Sequence, residues 1–561
     1  MRTRPSGRLA GCAATLLAVC ASGAGESCGP LRHDVAALRD TDIEQLSGHV
    51  IDRDRDYRVR DVAIVRQRIF ATDREDENNR LFRAANRYHI DTREGVIADV
   101  ILFRTGDRAT ARVLEESERA LRAKSYLYDA RVLVNRVCED DIEVAVVTRD
   151  VWTLAPQVGF TRTGGEDRLE FGLSDGNVGG TGSELSASWF DDLDRSGIAV
   201  NYLDPNLGHS RTQLGVTVLD NDDGGRWAVE LARPFFSLDT RRAWAVRMDQ
   251  RESEQGLYLL DRKYAVLEAK TRSFEASRGF SNGLVDRFAT RWSYGYRYED
   301  RELAQLRGAP VDFRDRTLGY PWVSYERVED DFAKSRNVDR LQSTEDIYLG
   351  RRYSLLVGYS DAAFGGDDDS RLVLNGSFQD GHRTADGRHL TLFGAQFDGL
   401  LDTDGGALTD FLGSVWLRYR YRQTPRLAFH ASGTWSYARD LRADRQLLLG
   451  GDNGLRGFPN RYQAGDRSFV VTFEERYFSD LYLFRILRVG AALFADVGRA
   501  WFSGGPDEEP FGIIADVGVG LRFESTRTQR GRVLHLDFAW PLADGPGIGG
   551  AELTLTARQA L

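Results

Sequence analysis

With 561 residues, 57 of them glycine, 29 phenylalanine and 21 tyrosine, the chain has room for more than one domain and is rich in residues of tight turns and aromatic girdles. A net charge of −10 argues against a nucleic-acid partner, which needs a concentrated basic face. A mean hydropathy of −0.42, with no apolar run of about 18 residues beyond the N-terminus, excludes transmembrane helices. A membrane β-barrel stays open, because its signal is spread over alternating segments of ~10 residues; a water-soluble all-β protein fits the composition equally.

Residues 1–24 read as a secretory signal: Arg2, Arg4 and Arg8 precede the apolar stretch Leu9–Val19, and Ala21, Ser22, Gly23 and Ala24 offer small residues for cleavage. Leu9-Ala10-Gly11-Cys12 and Leu17-Ala18-Val19-Cys20 approach a lipoprotein box, the first too early and the second with valine where a small residue belongs, so ordinary cleavage is expected. A tail, 25–56, follows. Cys28 and Cys138 then remain, as candidates for a disulfide in an oxidising periplasm or as two unrelated thiols.

Residues 57–152 read as a small α/β domain. Val59–Val65 is strand-like. Thr92–Phe103 is helical, with Thr92 as N-cap and Val96, Ile97, Val100 and Ile101 on one face. Ala111–Lys124 is a second helix burying Leu114 and Leu121, and Tyr126–Asn135 and Ile142–Val147 are strands.

From residue 153 to the end the pattern has period two. Fifteen alternating segments lie between residues 154 and 438, and five between 467 and 558. In Leu427–Tyr437, Leu427, Phe429, Ala431, Gly433, Trp435 and Tyr437 face one way and Ala428, His430, Ser432, Thr434 and Ser436 the other, as expected with lipid on one side and a wet lumen opposite. An odd number of strands before the loop at 450–458 puts that loop at the barrel end opposite the α/β domain. Asp220-Asn221-Asp222-Asp223 and Asp367-Asp368-Asp369 fall at the same end, and are expected to be solvated tips, since their spacing fits no calcium loop.

Catalytic motifs are missing: there is no nucleophile elbow, zinc helix or Walker loop, and the eight histidines are scattered. Gly545-Pro546-Gly547-Ile548-Gly549-Gly550 lies between two strands with no helix after it, which makes it a hairpin loop and no dinucleotide site. No enzyme, cofactor or metal is expected. The informative set is structural. The loop Gly450-Gly451-Asp452-Asn453-Gly454-Leu455-Arg456-Gly457-Phe458 carries one arginine among four glycines. The five trailing segments, with their apolar parity turned to lipid, send Glu474, Arg476, Phe494, Asp496, Asp516, Arg522 and Asp537 inward. An inward Arg456 would meet several carboxylates, and guanidinium binds carboxylate through two parallel bonds.

Leu455-Arg456-Gly457-Phe458 resembles the Val-Arg-Gly-Phe/Tyr loop of the BamA/TamA outer-membrane superfamily, and Phe494-Ala495-Asp496-Val497-Gly498 resembles its Phe-x-Asp-x-Gly strand. Phe473-Glu474-Glu475-Arg476-Tyr477 and Leu536-Asp537-Phe538-Ala539-Trp540-Pro541 are similar to neighbouring family strands. Upstream, Phe103-Arg104-Thr105-Gly106-Asp107, Glu118-Arg119-Ala120-Leu121-Arg122 and Tyr126 resemble a POTRA domain, in one copy where better-known relatives carry several. The resemblance implies a transmembrane antiparallel β-barrel after one periplasmic POTRA-like domain, with sixteen strands and five of them after the loop; the segments allow up to twenty. It implies a loop held by Arg456, Gly457, Phe458, Asp496 and Glu474, with Gly451, Phe494, Gly498, Asp516, Arg522 and Asp537 in support. It further implies outer-membrane lipid, unfolded client proteins and periplasmic or lipoprotein partners. Clients would add an edge at the POTRA sheet or at a seam joining Leu154–Arg162 to Glu552–Arg558. Leu561 stands where such barrels usually end in an aromatic residue. A passive channel and a surface antigen are the alternatives.

Overall fold

The computed structural model describes residues 28–53, 55–503, 512–528 and 532–559; the signal-like segment 1–24 and Leu561 lie outside the described residues. The N-terminal α/β region runs β1 (Tyr57–Gln67), α1 (Arg80–Tyr88), α2 (Glu94–Val100), β2 (Arg108–Ala109), α3 (Ala111–Arg122), β3 (Leu127–Cys138) and β4 (Asp141–Asp150). The sheet order is β2-β1-β4-β3, with β1 and β4 parallel. The apolar run Val144–Val147 follows from burial of β4 on both faces. Val144 and Val146 meet Ile97, Leu114 and Leu121 on the helical side. Ala145 and Val147 meet Leu38, Ile43 and Leu46 of the tail on the other. The tail also runs along the free edge of β3, where the Gly29 N–H donates to the Val137 carbonyl and Arg32 N–H to the Asn135 carbonyl (both 2.8 Å). Cys28 and Cys138 are joined by a disulfide.

Two sequence expectations fail here. Thr92 is no N-cap: α2 starts after Arg93, and the Thr92 hydroxyl instead accepts from Asn177 Nδ2 at 2.8 Å, across to the barrel. Helix α1 was not anticipated, because Phe82 is its one buried side chain and leaves almost no apolar period. Its start is nonetheless capped by Asn79, whose side chain accepts the Phe82 N–H at 2.8 Å.

From β5 (Leu154–Thr163) to the last strand, Glu552–Gln559, the chain forms a closed antiparallel barrel of twenty strands. The sixteen implied by resemblance is therefore corrected: all fifteen alternating segments before the loop and all five after it become wall. One segment was drawn too long. Residues 345–360 contain Glu345–Tyr348, which pairs with Phe332–Ser335 in a separate hairpin, and Arg352–Ser360, which alone joins the wall. A Cβ at Gly350, between them, would come within 2.8 Å of the Glu329 carbonyl, so the chain turns sharply there. Each other pair of adjacent wall strands is in register at seven or more positions. Between the last strand and β5, among the described residues, register is kept at one, Leu555 opposite Arg162.

The α/β region is fastened to one end of the barrel. Arg93 N–H donates to Gly180 O, Leu238 N–H to Glu116, and Trp152 N–H to Arg527 O. The hairpin 332–348 enters the same end and meets both bodies: Arg122 of α3 holds Asp346 through two bonds (2.7 and 2.6 Å), and Arg340 and Leu341 N–H bind the buried Glu524 of the wall. No helix among the described residues is long and apolar enough to cross a membrane.

Candidate functional site

Between wall strands Leu427–Arg439 and Arg467–Leu483, at the end away from the α/β region, the chain turns back into the barrel. Its base is a short ladder, Leu447–Leu449 with Gln463–Gly465. Gly454 then takes φ +130, open to glycine alone, and a Cβ there would meet Val470 at 2.8 Å. This brings Leu455, Arg456 and Phe458 to full burial. Phe458 packs with Leu449, Leu455, Tyr462, Ala500 and Ile514 in a core inside the barrel mouth.

Arg456 lies beneath that core. Its Nε and Nη2 donate to the two oxygens of Asp496 (2.8 and 3.1 Å), and its Nη1 donates to Asp537 Oδ2 (3.0 Å) with Glu474 4.0 Å away. The guanidinium carbon sits 3.3 Å above the ring of Phe494, which adds a cation–π contact. Gly457 N–H donates to Asp516 Oδ2 at 3.0 Å, and Thr472 Oγ1 donates to Asp496 Oδ1 at 2.7 Å. Arg522 pairs with both Asp537 and Glu474, and Arg476 donates to Glu474 at 2.9 Å. Charge is thus set against charge across adjacent strands, with Arg456 arriving from the loop as a bidentate ligand.

Glycines make the space. A Cβ on Gly457 would stand 2.8 Å from Asp516 Cβ, one on Gly498 3.0 Å from Leu449 of the loop, and one on Gly451 2.5 Å from the Phe458 carbonyl. Gly520, which the sequence did not single out, is tighter: its Cβ would lie 1.8 Å from Asp537 Oδ1. Also unforeseen is Arg461, which binds both oxygens of Asp194 in a neighbouring loop (2.8 and 2.6 Å). The loop touches both sides of the seam. Asn460 Nδ2 donates to the Thr163 carbonyl at 2.8 Å, and Thr554 of the last strand reaches the Arg456 carbonyl at 3.5 Å.

The Omp85 superfamily domain matches residues 177–554, about two thirds of the chain. The chain belongs to the Omp85 superfamily. No curated protein sequence matches it. Among solved structures it is similar to BamA from Haemophilus ducreyi lacking POTRA domains 1–3 (10% identity, 90% of this chain and 84% of that one, TM-score 0.38). It is also similar to CdiB from Escherichia coli (14% identity, 89% and 75%, TM-score 0.41) and CdiB from Acinetobacter baumannii (10%, 89% and 73%, TM-score 0.39). These likenesses are distant, and membership rests on the sequence match. Omp85 barrels belong to the bacterial outer membrane and serve protein insertion or translocation there in general, as transporters and assembly factors and not enzymes.

Proposed function

We propose that this Omp85 protein inserts client proteins into the outer membrane, or passes them across it, through a seam between β5 and the last strand that the inward loop holds shut. The observation that carries the reading is the single registered pair among the described residues, Leu555 opposite Arg162, where every other junction keeps at least seven. Inter-strand bonds close a barrel, so a junction with few of them is where a client strand can add with least lost. The loop spans this weak place, bonded to Thr163 on one side and Thr554 on the other, and Arg456 with Asp496 and Asp537 anchors it. The α/β region is taken as a POTRA-like domain in the periplasm. There β1, bonded on its outer side to residues 106–109 only through Tyr57, Arg58 and Val59, offers the edge beyond Val59 to an extended client.

Cysteines replacing Arg162 and Leu555 test the seam in cells depleted of the native protein. Oxidative crosslinking should abolish client insertion, measured as the outer-membrane proteome, while single-cysteine controls keep it. Full activity with the seam crosslinked would remove the proposal. A passive channel is the second reading, favoured by a lumenal cavity of about 560 Å³ lined by Trp416, Arg420, His430 and Arg476. Solute-selective conductance in planar bilayers, with no client accumulating on depletion, would select it.

A further inference from the structure

We infer that α1 is a membrane-surface anchor, laid against the anionic phospholipid headgroups of the leaflet that surrounds the domain end of the barrel. The inference rests on the barrel spanning the outer membrane with its α/β region on the periplasmic side. Residues 78–90 contain no Asp or Glu, in a chain whose net charge is −10, but carry Arg80, Arg83 and Arg87. At positions i, i+3 and i+7 these share one helical face, and Leu81, Ala84 and Tyr88 form the adjoining stripe. The helix has its own core contact elsewhere: Phe82 is buried and stacks on Phe70 at 3.9 Å between ring centres. What remains outward sets large apolar side chains beside the arginines. Leu81 is 70% exposed, Tyr88 73% and nearby Ile90 59%. None of the three arginines forms an ion pair among the described residues; the acidic groups nearest in sequence are Glu77 before the helix, paired to Arg527, and Asp91 after it, 4.0 Å from Arg66 and 3.9 Å from His89.

Position names the occupant. Phe82 packs in the same cluster as Ile486, in the turn joining wall strands Arg467–Leu483 and Leu487–Trp501. The lipid-facing column of the first of these strands, Phe473, Tyr477 and Leu481, runs into that turn and ends at Phe484, which is 82% exposed. The exposed side of α1 therefore continues the barrel's apolar belt at its rim. Basic side chains beside Leu and Tyr are the composition of an interfacial helix: the apolar groups enter the headgroup boundary, Tyr sits at the interface, and Arg meets phosphate.

The test uses the full chain in nanodiscs, with an environment-sensitive fluorophore on Tyr88→Cys and, as reference, on Glu115→Cys of α3. In nanodiscs containing phosphatidylglycerol, emission from position 88 should shift to the blue, be quenched by a lipid-borne quencher and be shielded from iodide; position 115 should remain open to iodide. Arg80→Glu/Arg83→Glu/Arg87→Glu should reverse the effect at 88, and pure phosphatidylcholine should weaken it. Equal iodide access at both positions in phosphatidylglycerol would overturn the inference and leave this face to a protein partner. Barrel insertion, scored separately by heat-modifiable migration, tells that result from failure of the membrane reading itself.

Discussion

Removing Arg456 should free the inward loop, and the geometry sets how far. The guanidinium makes three charge-assisted bonds, two to Asp496 and one to Asp537, with all three side chains almost wholly buried. Breaking one partner of a buried pair costs about 3–5 kcal/mol, because the stranded charge remains. At a factor of ten per 1.4 kcal/mol, the population with the loop undocked should rise by about two to three and a half orders of magnitude. Asp537 keeps Arg522 and Asp496 keeps Thr472, which argues for the lower half of that range. Limited proteolysis of loop 440–466, on full-length protein in membranes, reads the undocked population directly. Arg456→Ala and Asp496→Ala should each accelerate cleavage, and the double variant should cost less than the sum by ~1–3 kcal/mol. The exposed pair Arg426–Asp480 is the control, since surface pairs are worth ~0–1 kcal/mol. Additive effects at 456 and 496, or wild-type cleavage in both single variants, would refute the reasoning.

Two further outcomes are expected. Gly520→Ala would place a methyl 1.8 Å from Asp537 Oδ1, so the Arg522–Asp537 pair must move; overpacking of this kind costs ~1–3 kcal/mol, and the heat-modifiability midpoint should fall without loss of membrane localisation. Glu345, in the hairpin at the domain end, is pushed up from its ordinary 4.5 to about 7 by burial and then by Asp339. Such an acid contributes stability in full below 4.5 and loses it as pH rises through about 7, so the amides of Val338 and Asp339, which donate to it, should show larger protection factors, taken relative to the intrinsic exchange rate at each pH, at pH 5 than at pH 8. Glu345→Gln should flatten that difference.

The wall was legible because period-two patterning follows from having lipid outside and water within; Phe473, Leu493, Val519, Leu521 and Phe538 alternate with Glu474, Phe494, Gly520, Arg522 and Asp537. Counting segments gave twenty, and borrowing a number from relatives misled. The inward residues could be read from parity, but their partners could not: which of four carboxylates meets Arg456 depends on register between strands, and register is set by long-range pairing. Hairpin 332–348 escaped because its polar residues bind buried partners such as Glu524 and Arg122, so its sequence looks like an ordinary connection. Gly520 escaped for the opposite reason, since a missing side chain gives no signal until its neighbour is seen to occupy the space.

The twenty strands divide unevenly around the loop, with fifteen before it and five after. Most of the circumference therefore belongs to the N-terminal side of the cylinder, while the stretch that grips Arg456 is its short C-terminal share. A cylinder widens as staves are added, so a bore of twenty staves would leak unless filled. The polar hairpin at the domain end is the filler, contributed by the enlarged side itself, and shortening it should make the membrane permeable even where the loop remains seated.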